Sequence, residues 1–398
     1  MNMDNKGALS GIRVLDLSRV LAGPYCTMML ADMGAEVIKI EMPDIGDDSR
    51  AFGPFLNGES GYYMNMNRNK KGVTLNLKGK GRELFLKMVE KADVVIENYR
   101  PDVMEKLGLG YEDLKKVNPR IIYGTVSGFG HTGPYSLLPG YDVIGQAMSG
   151  LMSTTGWPDG EPTRIGTAMA DSLAGLTLTV GVLAALQYRH AAGIGQNVDI
   201  GLMDSGIANM QILHPIYLID KRIPPRIGNR YESNYPTDSF RAKDGSFVIG
   251  AANDKLWQAL CKVIGQPEIA FDERFLNNKK RVENHELIKP LIEAWTMTRT
   301  VAEAVGELSR VGVPAAPIYD IAQVVADPHV AAREMFVEVE HPKAGKTTLT
   351  GSPIKLSETK PAVRTPAPLL GQHNAEVYEE LLGLTEAELK QLKEEKVI

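Results

Sequence analysis

The sequence predicts an α/β protein with a large Rossmann-like, doubly wound domain and a small α+β domain. Near-continuous apolar strands alternate with helices through the first half of the chain, which favours a parallel sheet covered on both faces. After Asp220 the chain becomes rich in Pro, Asn and Arg, as linkers are. A length of 398 residues suits two or three domains.

The elements of the large domain follow a regular alternation. The strand "IRVLDL", the helix "PYCTMMLADMG" and the strand "AEVIKIE" come first. The strand "GVTLNL", the helix "GRELFLKMVEKA", the strand "DVVIENY", a short helix after Pro101 and the strand "RIIYGTVSGFG" follow. A long helix then begins near Asp171 and ends at "AAGIGQ", before the strand "QNVDIGL". This order is typical of a doubly wound sheet.

The chain divides into three ranges. Residues 1–220 form the large Rossmann-like domain. Residues 221–330 form the small α+β domain, where "KDG" predicts a hairpin turn and several helices follow. Residues 331–398, which include a Pro-rich stretch, are predicted to be a linker that returns to the large domain.

Composition excludes several classes of protein. A net charge of −5 gives no reason to expect nucleic acid as a partner. Two cysteines without a CxxC partner, and no apolar segment before the first strand, predict a reducing, cytoplasmic location. The apolar run from Leu173 to Leu186 is shorter than the roughly 20 residues that span a bilayer, so no membrane segment is expected. The scattered histidines lack metal-ligand spacing, which predicts no metal site.

The first strand–helix–strand unit superficially resembles an NAD site, with Glu41 at the end of its second strand. Val20 and Leu21, however, occupy positions where the fingerprint G-x-G-x-x-G requires glycine for backbone approach to a pyrophosphate. We therefore do not expect a dinucleotide here.

Two features suggest that an anionic ligand binds the large domain. The run from Arg68 to Arg82 contains six cationic residues and no acid, and it is either a solvated face or a phosphate-binding rim. Asn98, Tyr99 and Arg100 directly follow a buried strand, so they lie at its carboxyl end, where open α/β sheets bind ligands. Tyr99 either stacks on an adenine or packs on the next helix.

Asp171 stands at the head of the long apolar helix, behind three glycine-containing loops. Aspartate is a favoured N-cap, so it could simply accept hydrogen bonds from the first turn. In that position the helix dipole would favour the charged carboxylate. A carboxylate with open space beside it can also act as a covalent nucleophile. The residue pattern leaves both interpretations open.

Several motifs together resemble the family III CoA-transferases, the group of formyl-CoA and carnitine CoA-transferases. They include "LSGIRVLDLSRVLAGPYCTMMLADMGAEVIKIE", "ADVVIENYRPDVMEKLGLGYEDLKKVNPRIIYGTVSGFG" and "ADSLAGLTLTVGVLAALQYRHAAGIGQNVDIGLMD", in this order. The resemblance covers essentially the whole chain. It implies a large and a small domain joined by long linkers, in a homodimer whose two subunits interlock.

The resemblance also implies roles for individual residues. The catalytic aspartate of the family falls on Asp171, in "TAMADSLAG". Tyr141 and Asp142 match positions that line the thioester site. The positions that contact CoA carry over to Val20, Leu21, Leu75, Lys78, Asn98, Tyr99, Arg100 and Lys106.

The implied reaction moves CoA from an acyl-CoA to a small carboxylic acid through an aspartyl acyl-anhydride. CoA thioester is then a substrate, and no permanently bound cofactor is expected. Two alternatives are an α-methylacyl-CoA racemase and a catalytically silent CoA-thioester-binding protein. Racemases carry a "GHD"-type motif where this chain has "GYD", and tyrosine is a poor base at neutral pH, which favours the transferase. Met42 and the lack of a glycine run in the small domain depart from formyl-CoA transferases, so the resemblance does not establish oxalate as the acceptor.

Overall fold

The computed structural model describes residues 7–398, so the first six residues of the opening segment considered for a signal lie outside the described range. The strands are β1 (Arg13–Asp16), β2 (Glu36–Glu41), β3 (Phe55–Leu56), β4 (Glu59–Ser60), β5 (Lys70–Thr74), β6 (Val94–Glu97), β7 (Ile122–Ser127), β8 (Asn197–Gly201), β9 (Thr237–Ala242), β10 (Gly245–Gly250), β11 (Ala315–Pro317), β12 (Phe336–His341) and β13 (Gly345–Thr350).

The α-helices of the same range are α1 (Ala22–Asp32), α2 (Gly61–Met66), α3 (Lys80–Val89), α4 (Val103–Lys106), α5 (Tyr111–Val117), α6 (Asp142–Met148), α7 (Leu151–Thr154), α8 (Met169–Ala192), α9 (Leu202–Ala208), α10 (Leu213–Asp220), α11 (Asp254–Val263), α12 (Asn278–Glu283), α13 (His285–Thr296), α14 (Val301–Arg310), α15 (Ile321–Ala326), α16 (Pro328–Ala332), α17 (Asn374–Leu382) and α18 (Glu386–Glu394). Two 3-10 helices span Asp48–Ala51 and Pro267–Phe271.

The chain forms two compact units. Unit 1 contains Met1–Met152, Arg164–Arg222 and Pro328–Ile398, and unit 2 contains Ser153–Thr163 and Ile223–Asp327. The segment Ser153–Thr163, which the prediction placed in the large domain, belongs to unit 2, and the remainder of unit 2 extends from Ile223 to Asp327 rather than over 221–330.

Unit 1 is built on a six-stranded parallel sheet with the order β5-β2-β1-β6-β7-β8. The predicted parallel sheet is confirmed. Numbered within the sheet alone, the order is 3-2-1-4-5-6, which is that of a doubly wound sheet. The chain therefore reverses its direction of growth between β1 and β6, which places their carboxyl ends beside a crevice.

Each face of this sheet has its own apolar core. On one face Leu15 and Tyr123 pack with side chains of α3, α5 and α17. On the other face Val14 and Ile122 pack with side chains of α1 and α8. Adjacent strand residues thus serve opposite cores, as the alternation of side chains in a strand requires.

Helix α8 is longer than its apolar sequence indicated. It extends over 24 residues, so the argument that this segment is too short to cross a membrane is wrong. By length and composition alone α8 could span a bilayer, a test that the core helix of a soluble protein also passes. In unit 1, α8 packs against α1, and a Cβ on Gly175 would lie only 2.5 Å from the carbonyl oxygen of Ala22. Its buried Arg189 pairs with Asp93 at 2.9 Å.

The C-terminal part of the chain is more than the predicted linker. It contains the β12–β13 hairpin and the helices α17 and α18, and it belongs to unit 1. Tyr378 of α17 is fully buried and donates a hydrogen bond to the carbonyl oxygen of Thr74 at 2.7 Å. The imidazole of His373 accepts the N–H of Gly72 at 3.0 Å. These contacts cover the outer edge of the sheet at β5.

Unit 2 has a three-stranded antiparallel sheet with the order β11-β10-β9. The strands β9 and β10 are joined at the predicted "KDG" turn. Helices α11, α13 and α14 pack on this sheet around Phe240, Phe247 and Trp257, which are almost completely buried.

Candidate active site

A cavity of about 350 Å³ opens at the carboxyl end of the parallel sheet in unit 1. Its walls include the loops after β1 and β6, the end of β7 and the beginning of α8. The cavity therefore lies at the switch point between β1 and β6, where doubly wound sheets bind ligands. The predicted site residues that line it are Val20, Leu21, Asn98, Tyr99, Arg100, Tyr141 and Asp171.

The loop after β1 has a strained conformation. Val20 has φ of +65°, a left-handed conformation that β-branched residues rarely adopt. Two side chains hold the loop in place. The carboxylate of Asp47 accepts the N–H of Val20 at 3.1 Å. The amide of Asn98 accepts the N–H of Arg19 at 2.7 Å and donates to its carbonyl oxygen at 2.8 Å. The Asn98 side chain thus binds the loop, which leaves ligand contacts to its remaining atoms.

Beneath this loop lies a group of four buried charges, Asp16, Lys39, Asp47 and Lys70, which we call the charge quartet. Lys39 pairs with Asp47 at 2.7 Å and Lys70 with Asp16 at 2.9 Å, and all four side chains are inaccessible to solvent. Burial alone would raise the pKa of Asp47, but Lys39 beside it holds that pKa well below its usual value. Burial lowers the pKa of Lys70 to about 8, although Asp16 opposes the decrease.

Most members of the basic run have partners within the protein. Arg68 is buried and pairs with Asp32 at 2.7 Å, and Lys70 belongs to the charge quartet. Lys71 pairs with Glu36 and Glu376, and Lys80 pairs with Glu395. The Arg82 guanidinium donates to the carbonyl oxygens of Leu107 and Gly108. Within residues 7–398 only Lys78 of this run makes no side-chain bond or ion pair. Intramolecular partners therefore explain most of the charge.

The Glu41 carboxylate is likewise hydrogen-bonded to groups within the protein. Its carboxylate accepts hydrogen bonds from the Arg50 guanidinium at 2.8 Å and from the Tyr63 hydroxyl at 3.1 Å. It also accepts the N–H of Asp47 at 2.9 Å. The acid that superficially matched an NAD ribose contact instead supports the segment that carries Asp47.

Tyr99 and Arg100 differ in what they offer to a ligand. The Tyr99 ring packs partly against the apolar core, and the Arg19 guanidinium lies 5.7 Å from its centroid. Both interpretations of Tyr99 thus have support, because one part of the ring is packed and the residue also lines the cavity. Arg100 is exposed at the cavity and its guanidinium has no partner among residues 7–398. It can therefore bind an anionic group such as a phosphate.

Three predicted CoA contacts do not line the cavity. The Leu75 side chain is buried in the core, with 2% of its surface exposed. Lys78 and Lys106 are both exposed on the surface of unit 1, and Lys106 lies 4.0 Å from Asp102. A ligand that used these residues would have to extend outside the cavity.

Asp171 is not the N-cap of α8. The helix begins at Met169 with Ala168 as its N-cap, so Asp171 is the third helical residue. Another carboxylate supplies the missing acceptor: Asp142 of α6 accepts the N–H of Ala170 at 2.8 Å and that of Asp171 at 3.3 Å. The aspartate that caps α8 and the aspartate that lines the cavity are thus two different residues.

The ionisation of Asp171 also differs from the expectation that the helix terminus would keep it charged. Burial raises the pKa of Asp171 to about 7, and repulsion by the Asp142 carboxylate adds to the increase. Near neutral pH the carboxyl group therefore exists in both protonation states.

Asp142 is itself held in position by Gln146, one turn later in α6. The Gln146 amide donates to Asp142 at 2.8 Å and to the Thr167 carbonyl oxygen at 3.2 Å, and it accepts the N–H of Ile165 at 2.9 Å. Gln146 is fully buried. Tyr141, just before α6, is 74% exposed and lines the cavity.

Sequence reasoning missed Asp47 and Gln146. Asp47 lies 27 residues after Val20, whose N–H it accepts, so no local spacing indicates its role. The one available signal for Gln146 is its i+4 spacing from Asp142 on a helix, which places two polar side chains on one face.

The described part of the chain, residues 7–398, contains no group of three or more His, Cys, Asp or Glu side chains that could hold a metal ion. Cys26 and Cys261 are both buried and free. The site is therefore made of carboxylates, amides, an arginine and tyrosines.

The comparison with known proteins assigns the chain to a class. The model of CoA-transferase family III matches residues 9–374, and the chain belongs to that family. The resemblance inferred from the sequence is thus confirmed. The protein is a CoA-transferase.

Several curated relatives extend over nearly the whole chain. An acetyl-CoA:oxalate CoA-transferase of Acetobacter aceti is 42% identical over 378 residues, which cover 94% of this chain and 96% of the relative. A succinyl-CoA–D-citramalate CoA-transferase of Chloroflexus aurantiacus is 41% identical and covers 98% of each chain. A succinyl-CoA:glutarate CoA-transferase of Mus musculus is 38% identical and covers 98% of this chain and 90% of the relative.

The fold has a close counterpart among solved structures. A CAIB/BAIF family protein from Brucella suis matches with a TM-score of 0.84 and 37% sequence identity. The match covers 95% of this chain and 100% of that one.

Proposed function

We propose that Asp171 is the nucleophile that accepts the acyl group from an acyl-CoA. One observation carries this proposal: the half-buried Asp171 carboxylate lines the switch-point cavity without a hydrogen-bond donor or cation beside it among residues 7–398. Asp16, Asp32 and Asp47, by contrast, are all paired with a lysine or arginine. An unpaired carboxylate is more nucleophilic because no ion pair stabilises its negative charge.

The proposed chemistry needs only the substrates and this carboxylate. A carboxylate oxygen of Asp171 attacks the thioester carbon, the carbon–sulfur bond breaks, and CoA leaves as the thiolate with a mixed anhydride remaining on the enzyme. The thiolate then attacks the aspartyl carbonyl carbon, which releases the donor acid and forms an aspartyl-CoA thioester. The acceptor carboxylate attacks the carbonyl carbon of this thioester, which releases the thiolate and forms an anhydride between Asp171 and the acceptor. The thiolate then attacks the acceptor carbonyl carbon of this anhydride, the bond from that carbon to the bridging oxygen breaks, and the acceptor leaves as its CoA thioester while the Asp171 carboxylate is restored.

Two features of the cavity support CoA as the bound group. Arg100 supplies an unpaired cation for a phosphate, and the half-packed Tyr99 ring supplies a surface for adenine. The Val20 loop lines the same cavity. Lys78 and Lys106, which lie outside it, contact CoA in this proposal only through the extended end of the molecule.

For the acceptor we propose a short dicarboxylic acid, with succinyl-CoA as the donor. The support comes from the names of the relatives, which act on oxalate, D-citramalate and glutarate. A panel of these acids with succinyl-CoA and acetyl-CoA will identify the pair that turns over. Oxalate belongs in the panel because an acetyl-CoA:oxalate CoA-transferase is 42% identical to this chain.

The mechanism is tested with an acceptor acid labelled with ¹⁸O in both carboxylate oxygens. When the thiolate opens the acceptor anhydride, the bridging oxygen stays on the enzyme, so turnover must place one acceptor oxygen in Asp171. Mass spectrometry of the peptide that contains Asp171 measures this transfer. Direct transfer without an acyl-enzyme leaves the peptide unlabelled, and a racemase exchanges an α-proton in heavy water but moves no oxygen.

Replacing Asp142 with asparagine should shift the pH profile of the reaction. Asp171 reacts as a carboxylate, so kcat/KM of the wild type should rise with pH through about 7. Asparagine removes the repelling charge yet keeps an oxygen that can accept the N–H of Ala170. The rise should therefore move to lower pH. The control is Glu112→Gln, an exposed change on α5, and coincident profiles for Asp142→Asn and the wild type would contradict this assignment.

We further propose a cytoplasmic homodimer. Helices α8 and α10 expose apolar side chains in the single chain, among them Val180, Leu218 and Ile219 at 61%, 65% and 77%. Contiguous exposed apolar surface in a soluble protein usually marks an interface. Light scattering on the purified protein without detergent gives the mass of the particle, and a monomer would contradict the proposal.

A further inference from the structure

Ser127 has a property that no other hydroxyl group of its strand shares. It is the last residue of β7 and lines the same cavity as Asp171, yet only 8% of its surface is exposed. Its hydroxyl oxygen is buried and has no hydrogen-bond partner among residues 7–398. The other hydroxyl groups of β7 are bonded: Tyr123 to Glu97 at 3.4 Å and Thr125 to Asp199 at 3.3 Å.

The backbone fixes the position of Ser127. Its residue pairs with Gly201 of β8 in the sheet register. The next residue, Gly128, packs so closely on Gly140 that a Cβ on it would lie 2.7 Å from the Gly140 Cα. The N–H of Met203 also donates to the Gly128 carbonyl oxygen at 3.1 Å. Ser127 is therefore on a rigid wall, as a group that orients a ligand should be.

A buried hydroxyl group without a partner costs free energy, because it has lost its hydrogen bonds to water. Ser127 lines the cavity, so a bound ligand can restore the bond when the hydroxyl turns toward it. The thiol arm of an acyl-CoA carries carbonyl oxygens, both in its amides and in the thioester itself, and each can accept a hydrogen bond from a hydroxyl.

We propose that the Ser127 hydroxyl donates a hydrogen bond to a carbonyl oxygen in the thiol arm of the bound acyl-CoA. This inference rests on the proposed function, since it needs acyl-CoA in the cavity. If the acceptor is the thioester oxygen, the bond strengthens as negative charge develops there during attack by Asp171. If the acceptor is an amide oxygen of the arm, the bond contributes equally to ground state and transition state.

The test is Ser127→Ala, with Ser205→Ala as the matched control. Removing an unpartnered hydroxyl should leave the melting temperature unchanged or higher. Ser205 is also a buried serine, but its hydroxyl donates to the Gly201 carbonyl oxygen at 2.8 Å, so its loss should lower the melting temperature and leave kcat and KM unchanged. We expect Ser127→Ala to lose activity or CoA affinity but not thermal stability, and Ser205→Ala to lose thermal stability but not activity. This pattern would separate ligand binding from folding.

The kinetic parameters identify the acceptor oxygen. A bond to the thioester oxygen predicts a decrease in kcat of about 10²–10³-fold and unchanged affinity for free CoA, which lacks that oxygen. A bond to an amide oxygen predicts unchanged kcat and about tenfold weaker binding of free CoA by calorimetry. Either result supports the proposal.

Two results would overturn it. One is a Ser127→Ala enzyme with wild-type kcat, KM and CoA affinity. The other is a loss of activity that accompanies a lower melting temperature, which would indicate a structural role. Failure of the proposed function is recognised separately, because Asp171 of the wild-type enzyme would then remain unlabelled by ¹⁸O. Calorimetry with free CoA would still test the role of Ser127 in that case.

Discussion

Replacing Asp171 with alanine or asparagine is expected to abolish CoA transfer while the protein remains folded. The loss in kcat should be on the order of 10³-fold or more, because both variants lack the oxygen nucleophile on which the covalent steps depend. Incorporation of ¹⁸O at residue 171 should disappear with it. Steady-state kinetics with the donor and acceptor found in the acid panel measures the loss.

The stability of these variants provides an internal check. Because the folded pKa of Asp171 is raised to about 7 from 3.8, folding favours the protonated form. The contribution of Asp171 to the free energy of unfolding of the wild type therefore becomes more unfavourable as pH rises from about 4 to about 7. It stays unfavourable above that range. Asp171→Asn should accordingly unfold at an equal or higher temperature than the wild type at pH 8. Near-normal turnover in Asp171→Ala would refute the assignment, and an unfolded variant would be visible by circular dichroism.

Replacing Asp47 with alanine should cause the largest loss of stability among the changes considered. It leaves Lys39 in the charge quartet without its 2.7 Å partner, and removal of one member of a buried ion pair costs about 3–5 kcal/mol. It also removes the acceptor for the N–H of Val20. Urea denaturation measures the free energy of unfolding, and CoA affinity should fall as well because the Val20 loop loses its support.

The matched control is Glu338→Ala, which removes a pair with Lys346 whose side chains are 61% and 68% exposed. Its effect on the free energy of unfolding should be small, because solvent screens an exposed ion pair. Adding Lys39→Met to Asp47→Ala should recover part of the lost stability, because the double variant contains no uncompensated lysine. Equal effects of Asp47→Ala and Glu338→Ala would mean that the quartet does not support the fold.

The sequence predicted what depends on local periodicity. Apolar strands between helices indicated the parallel sheet, and the position of Asn98 directly after a strand placed it correctly at the cavity. The basic run was harder to interpret, because Arg68 and Lys70 find their acids at Asp32 and Asp16, far earlier in the chain. The sequence alone therefore cannot show whether such a run of cationic residues is exposed to solvent or paired with acids inside the fold.

The cap of α8 illustrates the same difficulty. Aspartate near a helix start is a strong local signal for an N-cap. The carboxylate that accepts the N–H of Ala170 at the start of α8 belongs to Asp142, which lies on another helix. Only the three-dimensional structure shows that Asp142, and not Asp171, makes this hydrogen bond. The predicted bounds of this helix, from near Asp171 to "AAGIGQ", agree with α8, which continues beyond the apolar run through the polar residues Arg189 and His190.

The charge quartet has a consequence for how the site responds to its medium. Its two acids and two bases have no formal net charge when all are ionised, and their side chains are inaccessible to solvent, so dissolved ions cannot screen them effectively. Arg100, which is exposed, experiences the full ionic atmosphere. We therefore expect ionic strength to act on the attraction between Arg100 and an anionic ligand, while the buried pairs beneath the Val20 loop should hold that loop equally well in dilute buffer and in concentrated salt.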